Sequence, residues 1–91
     1  MSHILIKKSH RMNDLDLHIL VEDLGKKLKS KYGGEYEVNG KLIHYFYQGA
    51  DAQISFDKSE IKVEITLGFL ITAFKGRIEK EVHTYLDKNI L

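Results

Sequence analysis

The chain contains no cysteine and no proline. Without cysteine there can be no disulfide, no thiol nucleophile and no thiolate metal site, a composition that fits a reducing compartment. The absence of proline, together with the absence of repeats or low-complexity stretches, excludes a linker between folded parts. No apolar run approaches the ~20 residues of a membrane-spanning helix. Lys7 and Lys8 follow the first apolar run rather than precede it, the opposite polarity to a signal peptide, so the expected location is cytoplasmic. A strong charge of one sign is also missing: the formal net charge is +1. A protein that holds nucleic acid by bulk electrostatics is far more basic, so nucleic acid is an unfavoured partner. The 91 residues form one domain, 1–91. At this size roughly 60–65% of the unfolded chain's surface can be buried, which makes stability modest unless a partner contributes.

What is present is alternation. Residues 3–8 read as a short strand. Asn13 can cap a helix, with Asp14 and Asp16 favourably placed in its first turn. Leu17, Leu20, Val21, Leu24 and Leu28 recur at helical spacing and give one apolar stripe. Gly33 suits the closing residue of that helix. Asn39-Gly40 predicts a two-residue hairpin turn with both residues at positive φ, which sets Val38 opposite Lys41 and Tyr36 opposite Ile43. Tyr36, Val38, Ile43, Tyr45 and Tyr47 then face inward. A second two-residue turn near Gly49-Ala50 brings Ala52, Ile54 and Phe56 to the same side, and Asp57-Lys58-Ser59-Glu60 turns the chain into Ile61, Val63, Ile65 and Leu67. A long helix is predicted to start near Gly68, with Leu70, Ile71, Phe74, Ile78, Val82, Tyr85 and Leu86 on its core-facing stripe and Lys75 and Lys80 off it. The fold class is α+β: a β-α-β-β-β-β-α two-layer sandwich, a mostly antiparallel sheet with two helices packed on one face. The position of the first strand is open; beside the last strand it would produce a miniature of the helix-grip arrangement, whose C-terminal helix can cover an apolar cavity.

No nucleophile–base–orienter set is evident, and there is no phosphate-cradling Gly-x-x-x-x-Gly-Lys loop, so the expectation is a protein that is not an enzyme and uses no cofactor. His83 lies one helical turn from Glu79 and Asp87, and His18 one turn from Asp14; both spacings suit a metal pair but also ordinary contacts on a solvated helix, and neither has a third ligand. His3 and His10 flank the first strand and suggest nothing specific.

The outer face of the sheet is less ordinary. The register that turns Tyr45 inward points Leu42, His44 and Phe46 away from the helices, beside a strand that offers Asp51, Gln53 and Ser55. Three readings are open: a loosely covered sheet face, a surface for self-association or a partner, or a three-residue second turn that would align these residues with Ala52, Ile54 and Phe56. The inward tyrosines Tyr36, Tyr45 and Tyr47 either line a small amphipathic pocket or put their rings in the core and their hydroxyls at its rim. Lys26, Lys27 and Lys29 complement the negative end of the first helix, or serve as an anionic-surface patch.

The last quarter, Leu-Gly-Phe-Leu-Ile-Thr-Ala-Phe-Lys-Gly-Arg-Ile-Glu-Lys-Glu-Val over residues 67–82 followed by Tyr-Leu-Asp-Lys at 85–88, resembles the C-terminal signature of the small polyhydroxyalkanoic acid system proteins. The resemblance extends over nearly the whole chain and departs from the family pattern at Phe46 and Tyr47, where charged residues are expected. It implies a place in bacterial polyester storage-granule formation or regulation, and it implies no reaction. The expected function is that of a small accessory protein binding a protein partner or the granule surface, or forming a homodimer, through Leu42, His44 and Phe46 or through Phe69, Leu70 and Phe74 with the lysines near residues 26–31. Alternatives are a helix-grip-like module for a hydrophobic ligand and a nucleic-acid or ribosome-associated module.

Overall fold

Period-two alternation is realised as five strands. The computed structural model describes residues 2–47 and 49–90, with the side chains of Ser2 and of residues 69–71 outside that description. The elements are β1 (Ser2–Ser9), α1 (Asp14–Tyr32), β2 (Glu35–Asn39), β3 (Leu42–Tyr47), β4 (Ala50–Phe56), β5 (Glu60–Leu67), a 3-10 helix (Phe69–Phe74) and α2 (Lys75–Asn89). The strands form one sheet in the order β1-β5-β4-β3-β2, and each neighbouring pair is antiparallel. Both helices cover one face, giving the α+β two-layer sandwich expected from the sequence. The first strand joins beside the last, a pairing that carries Ile4 opposite Ile65 and Ile6 opposite Val63.

The same cross-strand rows continue through the sheet: Ile65 meets Ala52, which meets Tyr45, and Val63 meets Ile54, which meets Ile43. These side chains and the α1 stripe Leu17, Leu20, Val21, Leu24 and Leu28 form one buried cluster. Asn13 caps α1 as its residue type suggests, its Oδ1 accepting from the Asp16 amide at 2.8 Å. Gly33 closes the helix at φ 84°, its amide donating to the Lys29 carbonyl at 2.8 Å.

Three expectations are corrected. The first hairpin pairs Asn39 with Leu42 and Val38 with Ile43, two residues out of the anticipated register, which leaves every side chain on its expected face because the side-chain period is two. Its loop residues are Gly40 and Lys41, with Gly40 at φ 60° and Lys41 at negative φ, the pattern of a II′ turn rather than one with Asn39 at positive φ. The second turn, by contrast, is of two residues as expected, so Leu42, His44 and Phe46 pair with Ser55, Gln53 and Asp51 and not with the inward residues of β4. Finally, the C-terminal helix is not continuous from Gly68. Residues 69–74 wind as a 3-10 helix, whose three residues per turn break phase with the 3.6 of α2. Phe74 is therefore carried off the core stripe and is 51% exposed, whereas Val82 and Leu86 are buried.

One packing residue carried no sequence signal. His10 is 7% exposed; its Nε2–H donates to the Asp57 carbonyl at 2.8 Å and its Nδ1 accepts from the Met12 amide at 3.1 Å. The imidazole thus ties the end of β1 to the β4–β5 turn, where the Asp57 carboxylate in turn accepts from the Ser59 and Glu60 amides at 2.9 and 2.8 Å. Those two amide bonds hold the Asp57 carboxyl below its usual range.

Candidate functional site

The outer sheet face places Leu42, His44 and Phe46 where their alternation directs them, away from both helices. They do not form an unbroken apolar patch. The row through Phe46 runs Thr66, Asp51, Phe46, Glu35, and the row through His44 runs Glu64, Gln53, His44, Glu37. His44 donates from Nε2 to the Asp51 carboxylate at 2.8 Å, and its ring lies 5.3 Å from that of Phe46. Phe46 is 38% exposed, about the exposure of many surface aromatics.

The lysines at the end of α1 go separate ways. Lys26 pairs with Glu22 at 3.9 Å, Lys29 with Glu35 at 3.0 Å, and the Lys27 ammonium sits 5.1 Å over the Tyr85 ring. Lys27 turns toward α2, as does Lys31 through Glu81, whereas Lys29 reaches Glu35, the cross-strand neighbour of Phe46, so the lysines are not gathered into one surface. The side chains of Phe69 and Leu70 lie outside the described residues.

A recess lies instead on the helical side. α1 packs over β2, β3 and β4 while α2 packs over β1, and the helices part over the ends of β4 and β5. The residues facing that gap are small: Ala50 and Ala52 occupy inner positions between Tyr47 and Leu67 and between Tyr45 and Ile65. The unfilled space is a cavity of about 380 Å³ walled by these sheet residues together with Leu28 and Ile78. Tyr45 behaves as a core-rim tyrosine, its hydroxyl donating to the Gly33 carbonyl at 2.5 Å, and burial raises its pKa, with a smaller contribution from Tyr47. Tyr47 and Phe74 stand at the mouth, 46% and 51% exposed. Of the three inward tyrosines, Tyr45 and Tyr47 line this recess, Tyr45 also keeping its ring in the core with its hydroxyl at the rim, while Tyr36 is not among the lining residues.

The mouth is charged. Lys31 donates to Glu81 at 2.7 Å, Arg77 approaches the same carboxylate at 3.5 Å, and the Tyr32 hydroxyl donates to its other oxygen. These bonds, that from Lys31 first, hold the Glu81 carboxyl below its usual range. Burial, then the hydrogen bond to Glu81, push Tyr32 up to about 12. Lys31, Tyr32 and Arg77 also line a second groove of about 420 Å³ between the helices, floored by Leu24, Leu28 and Val82 and edged by Lys27, Lys80 and Lys88. The two recesses thus meet at the Glu81 cluster. Arg77, Glu81 and Tyr32 carried no signal of this in the sequence beyond the helical spacing of Arg77 and Glu81. The alanines at two consecutive inner positions of β4 were the legible sign of missing volume.

Among the described residues no group of three His, Cys, Asp or Glu side chains is placed to hold a metal ion. His18 is engaged otherwise, stacked edge-on against Phe56 at 5.0 Å. No helix among the described residues is long and apolar enough to cross a membrane.

The family model described as "putative polyhydroxyalkanoic acid system protein" matches residues 4–90. The chain belongs to this family. Comparison with curated proteins and with solved structures returned no match. The stretch that carries the resemblance to the polyhydroxyalkanoic acid system proteins, residues 67–82, is also the one that supplies Leu67, Phe74, Arg77, Ile78 and Glu81 to the cavity and its mouth.

Proposed function

We propose that the protein is a non-enzymatic accessory component of the polyhydroxyalkanoate storage-granule system, acting in the cytoplasm by contact with the granule surface or with a protein on it. Family membership supplies the system. The observation that carries the mode of action is the mouth of the helical-side cavity, where half-exposed Phe74 and Tyr47 stand beside Lys31 and Arg77. Aromatic rings with two adjoining cations suit the boundary between an apolar polymer and water, because the rings lose water-exposed area while the charged heads stay hydrated. The non-enzymatic part is supported by the use of the acid–base side chains: His10, His44, Tyr32 and Tyr45 are each held in hydrogen bonds that join elements of the fold.

The test is co-sedimentation of the purified protein with native polyester granules. The double variant Phe74→Ser/Tyr47→Ser should lose most of its granule-bound fraction, and Phe46→Ser, on the opposite face, should retain it. Release by Phe46→Ser alone would transfer the contact to the Leu42, His44 and Phe46 face. Absence of granule binding by the parent protein would overturn the surface-contact reading.

A second reading is favoured by the cavity itself: a module that takes a small hydrophobic ligand. Its volume of about 380 Å³ falls within the ~300–1,000 Å³ common to small-molecule sites.

A further inference from the structure

The apolar interior and the charge at its entrance define the ligand more narrowly. We propose that the cavity binds an aliphatic monocarboxylate, its chain lying among Leu28, Ala52, Ile65 and Ile78 and its carboxylate at the mouth beside Lys31 and Arg77. This names the ligand class for the hydrophobic-ligand reading above and rests on it.

The interior asks for a chain without polar atoms. Its sheet wall is Ala50, Ala52, Ile65 and Leu67, and its helical wall is Leu28 and Ile78. The one polar group reaching it from the sheet's buried positions, the Tyr45 hydroxyl, has already spent its proton on the Gly33 carbonyl. No buried side-chain nitrogen or oxygen among the described residues lacks a partner, so nothing inside would reward a polar substituent. A hydrocarbon chain entering this space exchanges water for apolar contact at about 25 cal/mol per Å² of apolar surface removed from water.

The entrance asks for one negative charge. Among the described residues lining the two adjoining recesses, Glu81 is the one carboxylate, set against Lys27, Lys31, Arg77, Lys80 and Lys88. Glu81 does not cancel the mouth. It takes one hydrogen bond from Lys31 and one approach from the Nε of Arg77, and so leaves the remaining Lys31 protons, beyond the ammonium's 6.0 Å approach to the Tyr32 ring, and the guanidinium terminal nitrogens without a hydrogen-bond partner among the described residues. Two cations against one anion give a local excess of one positive charge, next to an apolar wall where the effective dielectric is lower than in bulk water. A carboxylate can meet both donors in the bidentate manner that guanidinium favours. Glu81, fixed by Lys31 and Tyr32 on α1, is then a positioning residue: it holds the two cations, one from each helix, at the same opening. A neutral amphipath of the same length fills the cavity equally well and leaves that excess charge unused.

The measurement is isothermal titration of the full chain with dodecanoate below its micelle concentration and with dodecanol as the neutral match. NMR spectra of the Ala52, Ile65 and Leu67 methyl groups are recorded during the dodecanoate titration. Dodecanoate should bind at least tenfold more tightly than dodecanol and shift those methyl signals. Lys31→Met and Arg77→Gln should each bring the acid toward the affinity of the alcohol, whereas Ala52→Leu or Ala50→Leu, by filling the space, should abolish binding of both. Equal affinity for acid and alcohol would overturn the carboxylate assignment while leaving the hydrophobic-ligand reading intact. Binding of neither would overturn both. Acid binding that leaves the Ala52, Ile65 and Leu67 methyl signals unmoved would place the acid on the surface and overturn the proposal even if the filled variants fail to fold.

Discussion

Lys31, in the last turn of α1, and Glu81, in the middle of α2, meet at 2.7 Å across 50 residues of sequence. Because Tyr32 and Arg77 converge on the same carboxylate, this contact decides both how the helices are held and what charge faces the cavity.

The Glu81 carboxyl lies below its ordinary value of 4.5 in the folded protein, so it contributes stability that is complete above that value and is lost as pH falls through the depressed one. Replacement by Gln should cost about 1 kcal/mol near neutral pH, since the contacts are charge-assisted but partly solvated. The difference in melting temperature between parent and Glu81→Gln should shrink as the pH is taken below 4.5. A difference that stays constant into acid would mean that the carboxylate charge plays no part in the contact.

At the alkaline end the sign is reversed. Tyr32 is raised from 10.0 to about 12, so its contribution is complete below pH 10.0 and lost as pH rises through its folded value. Tyr45 and Tyr85 are raised as well, chiefly by burial. Tyrosinate absorbance of the native protein should therefore lag behind that of the denatured chain, and Glu81→Gln should shorten the lag at Tyr32. A native titration overlaying the denatured one would contradict the burial of Tyr45 and the partial burial of Tyr32 and Tyr85.

Core and surface on the C-terminal helix should separate cleanly. Leu86 is fully buried, and its truncation to Ala should cost ~2–5 kcal/mol. Phe74, half exposed, should change stability by no more than about 1 kcal/mol on truncation. Chemical denaturation of the two variants measures the contrast, and a loss at Phe74 as large as that at Leu86 would put its ring back on the core stripe.

The glycines should respond according to their surroundings. A Cβ at Gly34, at φ 86°, would lie 2.6 Å from the Phe46 carbonyl oxygen, so Gly34→Ala should be strongly destabilising. Gly76, in the first turn of α2 at negative φ, has nothing within 4 Å of such a Cβ. Gly76→Ala should stabilise by up to ~1 kcal/mol by restricting the unfolded chain and favouring the helix. Thermal melts of both variants check the pair, and opposite signs are required.

Removing the His10 imidazole by His10→Ala should leave the Asp57 carbonyl and the Met12 amide unpaired, at a cost of ~1–3 kcal/mol. The loss should appear as faster amide exchange at the β4–β5 turn before the rest of the sheet; exchange unchanged there would remove His10 from its linking role.

Much of this architecture was legible because it is written in local periodicity. Inner and outer faces of β2 through β5 follow from alternation, and survived a two-residue error in the first hairpin because a shift of two preserves the face. The cap at Asn13, the closing Gly33 and the α1 stripe are likewise decided within a few residues. The outward placement of Leu42, His44 and Phe46 was readable for the same reason, but the charges that interrupt them come from other strands.

The rest was settled by contacts between residues far apart in the chain. Alternation in residues 3–8 gives a strand but not its neighbour; the antiparallel pairing with β5 is decided by Ile4 and Ile6 meeting Ile65 and Val63. A helical stripe drawn through Phe74 assumes 3.6 residues per turn, and the tertiary connection from β5 to α2 winds that segment at three, turning the ring outward. The cavity exists only because two helices part above two alanines, and its charge is complete only because Lys31 of α1 is brought to Glu81, which Arg77 already neighbours by helical spacing. Short-range spacing determines which face a residue takes. Which residues share a site depends on distances that only the packed chain possesses.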